Sequence, residues 1–130
     1  MQHLEPLAAY ALLQHNPDAV LLDCRTEIEH MYVGHPVGAE HIAWQEGPEW
    51  EVDPEFVAKV KRLLKGDLER TVLLICRSGQ RSLAAGAALE AAGFSRVINV
   101  LEGFEGERDE HFQRGRLGGW RYHGLPWHQS

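Results

Sequence analysis

The chain is poor in cysteine and has no excess of positive charge, no long apolar run and no internal repeat. Cys24 and Cys76 are its only cysteines among 130 residues, too few for the disulfide framework of a small secreted domain. No apolar stretch reaches the length needed to cross a bilayer. Met1 to Tyr10 has neither a basic start nor an apolar stretch of the kind a secretory signal carries. The expectation is a cytoplasmic protein with reduced thiols and no membrane partner; a precursor with a removed leader is the alternative. Thirteen Lys and Arg face 19 Asp and Glu, a net charge of -6, which argues against a nucleic-acid binder because phosphate contacts need a basic footprint. Trp44, Trp50, Trp120 and Trp127 are too scattered for a base-stacking platform.

What is present has the composition of one folded domain covering 1–130: 44% hydrophobic and 25% charged residues. Pro6 opens a helix whose expected inner face is Leu7, Ala8, Ala11 and Leu12, stopped by Asn16-Pro17-Asp18. Ala19 to Leu22, closed by Asp23, is a continuous apolar run of the kind buried on both faces of a parallel sheet. A short helical turn is predicted at Glu27 to Tyr32, and a strand at His41 to Trp44. Asp53-Pro54 reads as an N-cap and first-turn proline for a helix with Phe56, Val60, Leu63 and Leu64 on one face, capped by Gly66. Thr71 to Ile75 is a β-branched, uncharged strand; Leu83 to Ala92 is an Ala-rich helix ended by Gly93; Arg96 to Leu101 is another strand. From Glu102 the chain is Gly-rich, with one helical turn predicted at Arg108 to Gln113. Helices alternating with short apolar strands give an α/β fold with helices on both faces of a mostly parallel sheet.

The segment that joins the Thr71–Ile75 strand to the next helix is Cys76-Arg77-Ser78-Gly79-Gln80-Arg81-Ser82. Ligands of open α/β sheets bind beyond the carboxyl ends of the strands. The first amides of the following helix lack intrahelical partners and favour an anion there. Arg77 and Arg81 add full charges, and Gly79 permits a backbone twist that can turn amides toward one point. A thiol in such a setting ionises more readily, and the thiolate is the nucleophile. The pattern is therefore a cysteine nucleophile in an anion-binding cradle; the plainer alternative is a small buried thiol at a strand end.

Several motifs in order make the chain resemble the single-domain rhodanese (thiosulfate sulfurtransferase) family. They are Leu22-Asp23-Cys24-Arg25, an acidic position at Glu29, Gly34-His35-Pro36-Val37-Gly38-Ala39, the Cys76–Ser82 loop, Val100-Leu101-Glu102-Gly103, and the Gly119-Trp120 and Gly124-Leu125-Pro126-Trp127 ending. The resemblance implies a rhodanese-like fold, with about five strands in the sheet, and no metal or organic cofactor. It implies that Cys76 attacks the outer sulfur of thiosulfate or a similar donor, and that the resulting persulfide passes its sulfur to cyanide or a thiol. Arg77, Ser78, Gly79, Gln80, Arg81 and Ser82 would bind the anionic donor. The alternative is a sulfur-carrier or regulatory module that takes persulfide sulfur from a protein donor. A phosphatase relative of the fold has a loop one residue longer; the four residues between Cys76 and Arg81 match the shorter, sulfur-transferring spacing.

The chain departs from the family pattern in two places. Phe104 stands where a second glycine is usual, and residues 104–119 look inserted, either a rim above Cys76 or a tolerated surface loop. The span from Glu29 to Gly34 is one residue longer than the common family spacing. Asp23 and Arg25 read as a structural ion pair rather than catalytic groups. Cys24 reads as packing, with a redox role beside Cys76 as the alternative. His30, His35 and His41 lie close in sequence but match neither a helical ligand pair nor a finger spacing.

Overall fold

The computed structural model describes residues 1–129. Its elements run β1 (Gln2–Leu4), α1 (Pro6–His15), β2 (Val20–Asp23), a π-helical turn (Glu29–Val33), β3 (His35–Pro36), β4 (Glu40–His41), α2 (Phe56–Leu63), β5 (Val72–Ile75), α3 (Arg81–Ala91), β6 (Val97–Val100) and β7 (Trp127–His128). Five strands form one sheet in the order β1-β6-β5-β2-β4, with every pairing parallel. β3 and β7 make a separate antiparallel ribbon. The α/β reading with helices on both faces of a five-stranded sheet is what the structure has.

β2, β5 and β6 are buried at every position, which is why they show no polar alternation: β5 is apolar throughout, β2 up to Asp23, and β6 apart from Asn99. Alternate residues serve opposite faces. Val20, Leu22, Val72, Leu74 and Val97 pack with Phe56, Val60 and Leu64 of the α2 region and Ala85 and Leu89 of α3. Leu21, Leu73, Ile75, Ile98 and Val100 pack with Ala9 of α1 and with Phe104, Trp120 and Leu125 from the C-terminal segment. The irregular chain after β6 thus replaces a second helix on that face.

Local differences from the sequence reading have local causes. α1 turns Ala9 inward, with Tyr10, Leu12 and Leu13 beside it, while Leu7 is 57% exposed and Ala8 and Ala11 face water. Leu7 to Leu13 is apolar at every position, so periodicity does not select a face; the small Ala9 lets the helix approach the sheet. α2 starts at Phe56 rather than Pro54: the Asp53 carboxylate accepts from the Glu55 amide at 2.9 Å and its carbonyl from Phe56 at 3.1 Å, a turn preceding the helix. α3 starts at Arg81, two residues before the predicted Leu83, so the helix begins inside the Cys76 loop. β4 is only Glu40–His41; beyond it Ile42 and Trp44 still donate to the Asp23 and Cys24 carbonyls, at 3.1 and 3.0 Å. No helix forms at 108–113. Asp109 instead closes a turn, its carboxylate accepting from the His111 and Gln113 amides at 2.8 and 2.9 Å.

Candidate active site

Cys76 follows β5 directly and is 1% exposed, at the floor of a cavity of about 660 Å³. Gly79 adopts φ 108°, which folds the loop back so that its amide donates to Cys76 Sγ at 3.1 Å. The Ser82 amide, in the first turn of α3, donates to the same sulfur at 3.4 Å. Two backbone dipoles therefore converge on one atom, an arrangement that favours negative charge there. The amides of Arg77, Ser78 and Gln80 donate to no protein acceptor among the described residues. Arg77, Ser78, Gln80 and Arg81 line the cavity with Cys76, while Gly79 and Ser82 are buried.

The floor is buttressed from two directions. Ser82 Oγ lies 3.2 Å from Cys76 Sγ and donates to Asn99 Oδ1 at 2.5 Å. Asn99 is the polar residue inside the apolar strand β6, 1% exposed, and Ser82 satisfies it. Below the loop, Phe104 N donates to Cys76 O at 2.7 Å, and Glu105 and Gly106 donate to Arg77 O at 2.9 and 3.2 Å. Gly103 makes this contact accessible: a Cβ there would stand 2.5 Å from Cys76 O. Sequence reasoning missed Asn99, whose signal is a carboxamide flanked by Val97-Ile98 and Val100.

The two loop arginines differ sharply. Arg81 makes a bidentate pair with Glu29, at 2.7 and 2.8 Å, and Glu29 also accepts from the Thr26 amide and hydroxyl. Glu29 holds the Arg81 pKa above its ordinary value. Burial pushes the Glu29 carboxyl up, and Arg81 outweighs it, so the net shift is downward. Arg77 is exposed and forms no ion pair among the described residues. Its charge is open to the cavity, while that of Arg81 is committed to tying the loop to the Thr26–Glu29 turn.

Beside this loop, Asp23 and Arg25 form the structural pair read from the sequence, both fully buried. Arg25 donates to the two Asp23 oxygens at 2.9 and 2.7 Å and to Gly34 O at 2.5 Å. Its guanidinium lies 4.6 Å above the Phe104 ring, which is why a phenylalanine is accommodated there. His30 Nδ1 donates to Asp23 at 2.7 Å. Burial pushes the Asp23 carboxyl up, but hydrogen bonds from His30 and Arg25 and the arginine charge bring it down to about 2.

Histidines unrelated by sequence spacing are brought together. His30 stacks between His35 and His41, with ring centroids 3.9 and 4.6 Å away. Each ring donates elsewhere: His35 to His30 O at 2.8 Å, and His41 to Arg25 O at 2.7 Å. No group of three His, Cys, Asp or Glu among the described residues is arranged to hold a metal ion.

Cys24 stands one step beyond the Asp23↔Ile75 register, next to the corresponding position of Cys76, and both thiols are free. The two cysteines end neighbouring strands, closer than their sequence separation implied. Cys24 Sγ donates to Ile75 O at 3.5 Å, and burial pushes its pKa well above the ordinary thiol range. The cavity also receives residues that the sequence reading did not assign to the site. Trp50 comes from the loop before α2, Val33 from the π-helical turn, and Arg114 from the 104–119 segment. That segment is therefore a rim of the cavity.

A family model for the rhodanese-like domain matches residues 6–110. The crystal structure of Rv0390 from M. tuberculosis is similar over 100% of this chain and 98% of its own, with 34% identity and a TM-score of 0.87. The solution structure of a polysulfide-sulfur transferase homodimer from Wolinella succinogenes covers 100% of this chain and 80% of its own, at 27% identity and a TM-score of 0.63. An uncharacterized protein of Rickettsia rickettsii, the RP600 homolog, is 27% identical over 98% of this chain and 97% of its own. With the matched family model spanning most of the chain and its loop built as described, the chain belongs to the rhodanese-like domain family.

Proposed function

We propose that this protein is a sulfurtransferase that moves sulfane sulfur through a persulfide on Cys76. The observation that carries the reading is the Cys76 sulfur on the floor of an open cavity, receiving the Gly79 and Ser82 amides. The thiolate attacks the outer sulfur of thiosulfate or a similar anionic donor. A Cys76–sulfur bond forms, the donor sulfur–sulfur bond breaks, and its electron pair leaves with sulfite. The terminal sulfur of the persulfide then carries the charge, and the Arg77, Ser78 and Gln80 amides are available to it. Arg77 supplies charge for the incoming anion, and Arg81 holds the loop through Glu29. A thiophilic acceptor, cyanide or a thiol, removes the sulfur and restores the thiolate.

The sulfur-transfer activity named for the Wolinella relative supports this reading. A cytoplasmic setting suits two free thiols. No helix among the described residues is long and apolar enough to cross a membrane. Intact-mass measurement after incubation with thiosulfate tests the proposal. A gain of one sulfur atom, removed by cyanide with release of thiocyanate, supports it; an unchanged mass with every donor tried contradicts it.

A further inference from the structure

Arg77 and Arg114 line the same cavity, and no carboxylate oxygen comes within 4.0 Å of either among the described residues. Arg114 is partly buried and is fixed from behind, its Nη1 donating to Gly106 O at 2.7 Å. The segment that delivers it is pinned at both ends. Gly115 N donates to Glu105 O at 2.8 Å, and Gly119 N to the Glu102 carboxylate at 2.9 Å. Burial, and then the charge of Arg77, push the Arg114 pKa below its ordinary value; Glu105 and Glu107 offset part of this without pairing. Glu29 and Glu105 also line this cavity; Glu29 is paired with Arg81, and Glu105 pairs with neither Arg77 nor Arg114 among the described residues, so two unpaired cations face one unpaired carboxylate. That excess of positive charge is complementary to an anion larger than the Cys76 loop alone would hold.

The cavity size agrees. Its volume of about 660 Å³ lies within the roughly 300–1,000 Å³ that accommodates a whole organic molecule. Thiosulfate, a single tetrahedral ion, occupies a small part of it. Trp50, 53% exposed, and Val33 offer apolar surface to a carbon body.

On the sulfurtransferase reading, on which this inference rests, we propose that Arg114 determines donor specificity and that the preferred donor is an organic persulfide bearing a carboxylate. Its carboxylate binds Arg114 and Arg77, and its carbon body lies along Trp50. The reaction balances without an oxidant: the Cys76 thiolate takes the outer sulfur of R–S–SH. The donor sulfur–sulfur bond breaks with its electron pair leaving on R–S⁻, and the outer proton stays with the new Cys76 persulfide.

The test compares kcat/KM for N-acetylcysteine persulfide and the persulfide of N-acetylcysteine amide, with cyanide as acceptor and thiosulfate as reference. The two organic donors differ only in the carboxylate. Wild type prefers the acid over the amide by about tenfold or more, the worth of one charge-assisted hydrogen-bonded pair. Arg114→Ala brings that ratio near one, and Arg114→Lys retains most of it. Trp50→Ala lowers both organic donors relative to thiosulfate. A ratio near one in wild type, or a ratio unmoved by Arg114→Ala, overturns the proposal while leaving thiosulfate turnover in place. If neither thiosulfate nor either persulfide loads Cys76, the sulfurtransferase reading itself fails and this inference falls with it.

Discussion

Two adjacent strands end in nearly the same residues: Cys24-Arg25-Thr26 after β2 and Cys76-Arg77-Ser78 after β5. Both cysteines are buried, both strands are parallel neighbours, and both ends lie at the sheet's carboxyl edge. The two chain paths diverge beyond that edge. After Thr26 the chain enters a helical turn at once, and Thr26 hands its amide and hydroxyl to Glu29. After Ser78, Gly79 reverses the backbone and returns amides to the sulfur. Asp23 precedes Cys24 and takes the Arg25 charge into the interior, whereas Ile75 precedes Cys76 and leaves Arg77 exposed. One end is a closed polar clamp, the other an open loop whose Gly79 and Ser82 amides turn back on the sulfur. What separates the two ends is a left-handed glycine after Cys76 and an arginine, Arg77, that pairs with no carboxylate among the described residues.

The largest effect separates the two cysteines by activity. Cys76→Ser abolishes sulfur transfer in a thiocyanate assay with thiosulfate, while Cys24→Ser keeps most of it; comparable losses in both would erase the distinction. Next come the arginines, separated by stability. Arg25→Ala removes the guanidinium from the buried Asp23 carboxylate, leaving it His30 and the residue-25 amide, and costs about 3–5 kcal/mol in urea unfolding. Arg77→Ala, on the surface, shifts stability by less than about 0.5 kcal/mol and instead weakens use of thiosulfate.

The third prediction concerns acid. The Asp23 pKa falls from its ordinary 3.8 to about 2 on folding, so its stabilisation is complete above 3.8 and is lost as pH falls through about 2. The amount is on the order of 2 kcal/mol, since one pKa unit is worth about 1.4 kcal/mol. Urea midpoints taken on both sides of that window fall steeply in wild type. In Asp23→Asn the same step is smaller; an equal step would mean another carboxylate is responsible. Cys24→Ala has a smaller effect than either Arg25→Ala or the acid step, costing about 1 kcal/mol by loss of packing, and leaves the donor profile unchanged.

The strands and the loop that follows β5 were legible because their signals are local. β2, β5 and β6 are apolar apart from Asp23 and Asn99, and the Cys76 loop carries its glycine and both arginines within seven residues. The rest depends on contacts between distant segments. β1 is three residues long and becomes a strand only because β6 is beside it. Arg81 reads as a donor-binding charge until Glu29, 52 residues earlier, is brought against it. Histidines at 30, 35 and 41 stack because a π-helical turn and two short strands converge on Arg25 and Asp23. Arg114 enters the cavity because Glu102 and Gly106 fold the inserted segment back over the loop. No spacing in the sequence encodes those approaches.

The central claim is that sulfur resides on Cys76 and not on its neighbour. The cleanest measurement is peptide mapping after one equivalent of thiosulfate, alkylation and digestion with trypsin. Cleavage at arginine separates the two thiols, since Cys24 ends its peptide at Arg25 and Cys76 lies in Thr71–Arg77. The predicted result is one added sulfur on the Thr71–Arg77 peptide and none on the Cys24 peptide. Sulfur on the Cys24 peptide, or a Cys24–Cys76 cross-link in place of a persulfide, would contradict it.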